Sequence, residues 1–65
     1  MTIQVNGEPR KMADGTSVND LLAELKLTPE KVAIELNRKL VRSDRYGEPL
    51  KEGDAVEVVT FVGGG

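Results

Sequence analysis

Ser17-Val18-Asn19-Asp20-Leu21-Leu22-Ala23-Glu24-Leu25 is the stretch that decides the fold of this 65-residue chain. Ser17 stands where an N-cap hydroxyl accepts from the Asp20 amide, and the Asp20 carboxylate falls in the positively polarised first turn. The spacing is a relative of the capping box and predicts a helix starting at about Val18. Val18, Leu21, Leu22 and Leu25 recur at i, i+3, i+4 and i+7, while Asn19, Asp20, Ala23 and Glu24 face away. One helix with a single apolar stripe is covered only by a sheet wrapping it, which makes an α+β roll.

The strands for that sheet lie on both sides of the helix. Ile3 and Val5 alternate with polar neighbours and run into Asn6-Gly7, a two-residue hairpin signal because both central residues of a type I′ turn need positive φ. The return strand covers about Glu8 to Met12. Pro9 near its start argues for a sheet edge, where no ladder donor is needed, and Ala13-Asp14-Gly15 breaks it. After the helix, Thr28 as N-cap and Pro29 as first helical residue begin a single turn, which the β-branched run from Val32 cuts short. Val32 to Leu36 reads as a strand, Asn37-Arg38 as a turn, and Lys39 to Arg42 as a short strand. Ser43 to Glu52 is polar and irregular, pinned to the body by Tyr46 and Leu50. Gly53-Asp54 turns the chain into a last strand, Ala55 to Val62.

That last strand is rich in valine, and burial on both faces would suit a central position beside the first strand. Alternation puts Val56 and Val58 on one side and Glu57, Val59 and Phe61 on the other. With Val56 and Val58 toward the helix, Val59 and Phe61 lie on the open face of the sheet, as a partner interface. The other arrangement folds Phe61 under the Tyr46 loop. The expected core is Val18, Leu21, Leu22, Leu25, Ile34, Val56 and Val58, with Ile3 and Val5 beside it. The domain reads as residues 1–62, followed by a flexible arm, Gly63, Gly64 and Gly65.

Glycine neither packs nor holds one conformation, and ordering it costs more backbone entropy than any other residue. Two readings of the tail are open on residues alone. One is a frayed end; the other is a thin arm that presents the α-carboxylate of Gly65 to a narrow cleft in another protein.

Composition narrows the function further. A chain of this length buries only about 60% of its unfolded surface, so its core must be economical. There is no cysteine and no histidine, which removes disulfides, thiolate metal sites and the usual general base. An autonomous enzyme is not expected. A net charge of −2 and two aromatic residues, Tyr46 and Phe61, suit neither phosphate neutralisation nor base stacking, so nucleic acid is not an expected partner. Arg38, Lys39, Arg42 and Arg45 form a basic segment flanked by Glu35, Asp44 and Glu48 and read as a solvated charged face. Apolar runs reach three residues, as at Val32-Ala33-Ile34, too short for a membrane span or a signal segment. A cytoplasmic protein is the default.

Taken in order, these motifs resemble the ThiS sulfur carrier proteins of thiamin biosynthesis, members of the ubiquitin-like β-grasp group. Ile3-Gln4-Val5-Asn6-Gly7-Glu8 resembles the family's opening hairpin, Thr16 to Leu22 its helix entry and Val32 to Asn37 its middle strand. Gly53 to Gly65, ending Phe61-Val62-Gly63-Gly64-Gly65, resembles its C-terminal signature. The resemblance implies a ubiquitin-like β-grasp roll, a mixed β-sheet wrapped around one main helix. It also implies a protein cosubstrate rather than an enzyme. An E1-like, ThiF-like adenylyltransferase uses ATP and Mg to convert the terminal carboxylate to an acyl-adenylate. A sulfur donor such as a cysteine desulfurase replaces AMP, and the thiocarboxylate delivers sulfur to a ThiG-like thiazole synthase. The implied site is Gly65 as the sulfur-bearing residue, Gly63 and Gly64 as the arm, and Val59, Phe61 and Val62 as the partner interface. No cofactor or metal is expected on the chain itself. The small subunit of molybdopterin synthase and ubiquitin-like protein modifiers share the diglycine terminus. A β-grasp interaction module without chemistry at its end is a third class, and it predicts that extending the tail is harmless.

Overall fold

The computed structural model describes residues 1–61, so Val62 and the glycine arm at 63–65 lie outside the described residues. Strands β1 (Thr2–Val5) and β2 (Glu8–Lys11) pair antiparallel across Asn6-Gly7, whose φ values of 51° and 85° are those the two-residue turn requires. Pro9 sits opposite Gln4 on β2, an edge strand of the sheet.

Helix α1 runs from Val18 to Glu24. The Asp20 amide donates to Ser17 Oγ at 3.2 Å and the Ser17 amide donates to Asp20 Oδ2 at 3.0 Å, a complete reciprocal capping box. Its C-terminus closes by a Schellman pair: the Lys26 amide donates to the Ala23 carbonyl and the Leu27 amide to the Leu22 carbonyl, with Lys26 at φ 60°. Leu25 therefore caps the helix instead of continuing it. It is half-buried against the core, where the stripe alone placed it inside.

A single 3₁₀ turn at Pro29–Lys31 leads into β3 (Val32–Leu36), as the early β-branched run dictates. Thr28 holds the N-cap position, but its hydroxyl makes no capping hydrogen bond. The Asn37-Arg38 turn, with φ of 52° and 71°, joins β3 to β4 (Lys39–Val41). A second 3₁₀ turn, Ser43–Arg45, opens the loop whose buried Tyr46 and Leu50 hold it to the body. The Asn19 amide donates to the Tyr46 carbonyl at 3.0 Å and the Leu50 amide to the Thr16 carbonyl at 2.7 Å, which ties this loop to the helix entry.

The last strand, β5 (Ala55–Thr60), lies at the centre of a five-stranded sheet of order β2-β1-β5-β3-β4. It runs parallel to β1 and antiparallel to β3, so the sheet is mixed. One face packs on α1 around the fully buried Ile3, Leu21, Leu22, Ile34 and Val56. The other face is open. Central position thus comes without burial on both faces: the valine content of β5 reflects its helix-facing Val56 and Val58, while Ala55, Glu57 and Val59 are exposed. Among the described residues no helix is long and apolar enough to cross a membrane.

Candidate functional site

Strand β5 is the last strand before the glycine end of the sequence, and its place in the sheet is fixed from both sides. On the β3 side the ladder runs from Leu36 opposite Val56 to Val32 opposite Thr60, and the Phe61 amide extends it by donating to the Lys31 carbonyl at 2.9 Å. On the β1 side the parallel pairing covers Gln4–Ala55 and Val5–Val56. Asn6 then carries it further. Its own amide donates to the Val56 carbonyl at 2.9 Å, and its side chain meets both backbone groups of Val58.

A second asparagine works at the other end of the strand. The Asn37 amide donates to the Ala55 carbonyl at 2.7 Å, and the Ala55 amide donates to Asn37 Oδ1 at 2.9 Å. Both asparagines occupy left-handed backbone positions, which short amide side chains tolerate better than most residues. The sequence marks both as turn formers, but nothing local marks their side chains as clamps on a distant strand.

Alternation along the fixed strand sets its two faces. Val56 and Val58 are buried under the helix; Val59 is 55% and Phe61 59% exposed. Phe61 does not fold under the Tyr46 loop. Val59 lies opposite Ala33, and Glu57 lies opposite Glu35, which in turn lies opposite Leu40. Directly opposed side chains share a face, so Ala33, Glu35, Leu40, Glu57 and Val59 belong to the open face. Leu40 is 72% exposed. Sequence reading left it without an assignment, although alternation with half-buried Val41 would have placed it there.

The sequence-derived interface is thus described in part: Val59 and Phe61 are brought to the open side of the strand end, while Val62, Gly63, Gly64 and Gly65 lie outside the described residues. A surface without histidine or cysteine offers neither a nucleophilic thiol nor an imidazole base. What it offers is apolar contact area beside the strand that leads to the chain's end.

One helix gripped by a mixed sheet, with a parallel pair between the first and last strands at its centre, defines a ubiquitin-like β-grasp domain. The sequence profile of the ThiS family matches residues 3–65. The chain belongs to that family. It is 38% identical over 65 residues to the sulfur carrier protein ThiS of Bacillus subtilis, covering 97% of this chain and 98% of that protein. A crystal structure of the thiamine biosynthesis protein ThiS from Geobacter metallireducens superposes with a TM-score of 0.78 at 39% identity, with both chains fully covered. The chain is also 47% identical over 66 residues to a thiazole synthase of Magnetococcus marinus, and spans 20% of that protein's length.

Proposed function

We propose that the chain acts as a protein cosubstrate in thiazole formation, with the carboxylate of Gly65 as its reacting group. A free carboxylate is a poor electrophile because its charge is delocalised and its leaving group would be oxide. Activation comes first: a Gly65 carboxylate oxygen attacks the α-phosphorus of ATP on an E1-like adenylyltransferase, pyrophosphate leaves, and an acyl-adenylate forms. A persulfide supplied by a donor such as a cysteine desulfurase then attacks the acyl carbon through its terminal sulfur and AMP leaves. A second thiol of the donor attacks the resulting acyl disulfide, is itself oxidised to a disulfide and releases the thiocarboxylate, so that one oxygen of the carboxylate has been replaced by sulfur. A thiazole synthase takes that sulfur. ATP and Mg belong to the adenylyltransferase, and the catalytic groups belong to the partners, which suits a chain lacking cysteine and histidine.

The observation that carries this reading is that the family match extends through the glycine tail to residue 65. Homology to a stretch of thiazole synthases supports that enzyme class as a partner. Gly65 suits the role because a side chain would crowd the carbonyl under attack; Gly63 and Gly64 let a tunnel close around bare backbone. Val59 and Phe61, with Val62, form the docking surface in this reading. The test is to incubate the chain with its adenylyltransferase, Mg-ATP and a sulfur source and weigh the intact product. Exchange of one oxygen for sulfur, localised to Gly65 by fragmentation, supports the proposal; an unchanged mass under conditions where the same enzyme converts a ThiS protein contradicts it.

A further inference from the structure

A groove of about 360 Å³ lies between β4 and the loop that follows it. Buried Val18 and Leu50 and half-buried Leu36 and Val41 give it an apolar lining. Exposed Lys39, Arg42 and Arg45 supply its charge. Against these three cations stands one lining carboxylate, Glu48, already paired with Arg45 at 3.1 Å. Among the described residues Lys39 and Arg42 make no salt bridge. A local excess of positive charge on a chain of net charge −2 is a feature that the sulfur-carrier reading does not use.

Among the described residues the outer backbone edge at the groove has no ladder partner. β4 ends the sheet, and a two-residue hairpin pairs Leu36 with Lys39 and Ile34 with Val41. Ladder alternation then turns the amide and carbonyl of Leu40 outward along the free edge, beside a side chain that is 72% exposed. Such an edge invites a further strand, and charges on it select which one. A second copy of the same cationic strand is repelled. A strand carrying carboxylates is attracted.

We propose that the β4 edge and its groove form a docking site for an extended acidic peptide of a partner protein. The peptide adds a strand beside Leu40, places an apolar side chain in the groove and sets its carboxylates against Lys39 and Arg42. β3 separates this edge from β5. Leu36, at the groove, lies opposite Val56 near the start of β5, whereas the chain leaves β5 beyond Thr60, opposite Val32. The two surfaces can therefore be occupied together, and the groove serves as a second contact independent of the glycine end.

The experiment is a titration of the ¹⁵N-labelled full chain with the probe peptide acetyl-Asp-Glu-Leu-Phe-Glu-Asp-amide, followed by amide shifts. Saturable shifts centred on Leu40, Arg42, Arg45 and Leu50 at millimolar peptide are expected. The charge-neutral analogue, with Asn and Gln for Asp and Glu, is expected to bind several-fold more weakly. The double variant K39E/R42E is expected to lose roughly tenfold in affinity, as removal and reversal of two exposed charge contacts predicts, with an unchanged melting curve. Absence of saturable groove shifts, equal binding of the neutral peptide, shifts centred instead on Val59 and Phe61, or reproduction of the pattern by inorganic phosphate would each overturn the proposal. None of these readouts depends on Gly65, so failure here leaves the sulfur-carrier reading untouched.

Discussion

Asn6 grips Val58 through both backbone groups: the Val58 amide donates to Asn6 Oδ1 at 2.7 Å, and Asn6 Nδ2 donates to the Val58 carbonyl at 3.3 Å. The side-chain amide stands in for one more residue of β1 and prolongs the parallel ladder along the last strand. Asn6→Gly keeps the left-handed turn but removes both bonds. At about 1 kcal/mol each for partly buried hydrogen bonds, the variant is expected to lose roughly 1 to 2 kcal/mol in urea melts, with faster hydrogen exchange at Val58. Unaltered exchange at Val58 would show that the clamp contributes nothing to strand order.

The helix stripe carries the core. Leu22 is fully buried among residues from the helix and the sheet, and its carbonyl also receives the Schellman bond from Leu27. Leu22→Ala is expected to cost about 2 to 5 kcal/mol, enough to unfold a domain of this size. A loss under about 0.5 kcal/mol would place the packing elsewhere.

Two hairpin turns of the same kind differ by one residue. Asn6-Gly7 has glycine at its second position, whereas Asn37-Arg38 puts Arg38 at φ 71°; Lys26 at φ 60° repeats the conflict at the end of α1. Glycine relieves a left-handed cost of about 1 to 2 kcal/mol and gives back part of it in unfolded-state entropy. Arg38→Gly and Lys26→Gly are each expected to raise stability by roughly 0.5 to 1 kcal/mol in thermal melts. A fall in stability at either site would mean that its side chain makes contacts outweighing the strain.

Phe61 allows stability to be separated from the proposed recognition. At 59% exposed, its truncation to alanine is expected to shift stability by less than about 1 kcal/mol while weakening the adenylyltransferase or thiazole synthase complex by about 2 kcal/mol if it anchors the contact. Calorimetry with both partners decides this, and unchanged affinity for both removes Phe61 from the interface.

Much of this architecture was legible because its signals are local. Asn6-Gly7, the Ser17–Asp20 box and the Val32 to Leu36 run each determine a turn, a cap or a strand from adjacent residues, and the structure places all three within a residue of expectation. Leu25 departs from the apolar stripe because periodicity cannot see a Schellman closure carried by a non-glycine residue. Met12 and Val32, both buried, sit at element ends where alternation has too few residues to read. Leu40 and the opposed Glu35 and Glu57 depend on register between strands, which only the assembled sheet defines. The glycine tail was conspicuous for the opposite reason: no folding argument gives it a purpose.

In the sulfur-carrier reading, function resides in the Gly65 carboxylate and is separable from the fold. One intact-mass measurement tests it most directly, on wild type and on a variant extended by a single residue after Gly65, each incubated with the adenylyltransferase, Mg-ATP and a sulfur source. Extension turns that carboxylate into an amide and displaces the new terminus, and a shift of about 1 Å in a reacting group already costs on the order of a hundredfold in rate. Complete exchange of one oxygen for sulfur is expected in wild type and none in the extended chain, with melting curves that agree within about 0.5 kcal/mol. An extended chain that acquires sulfur at the wild-type rate would contradict that reading.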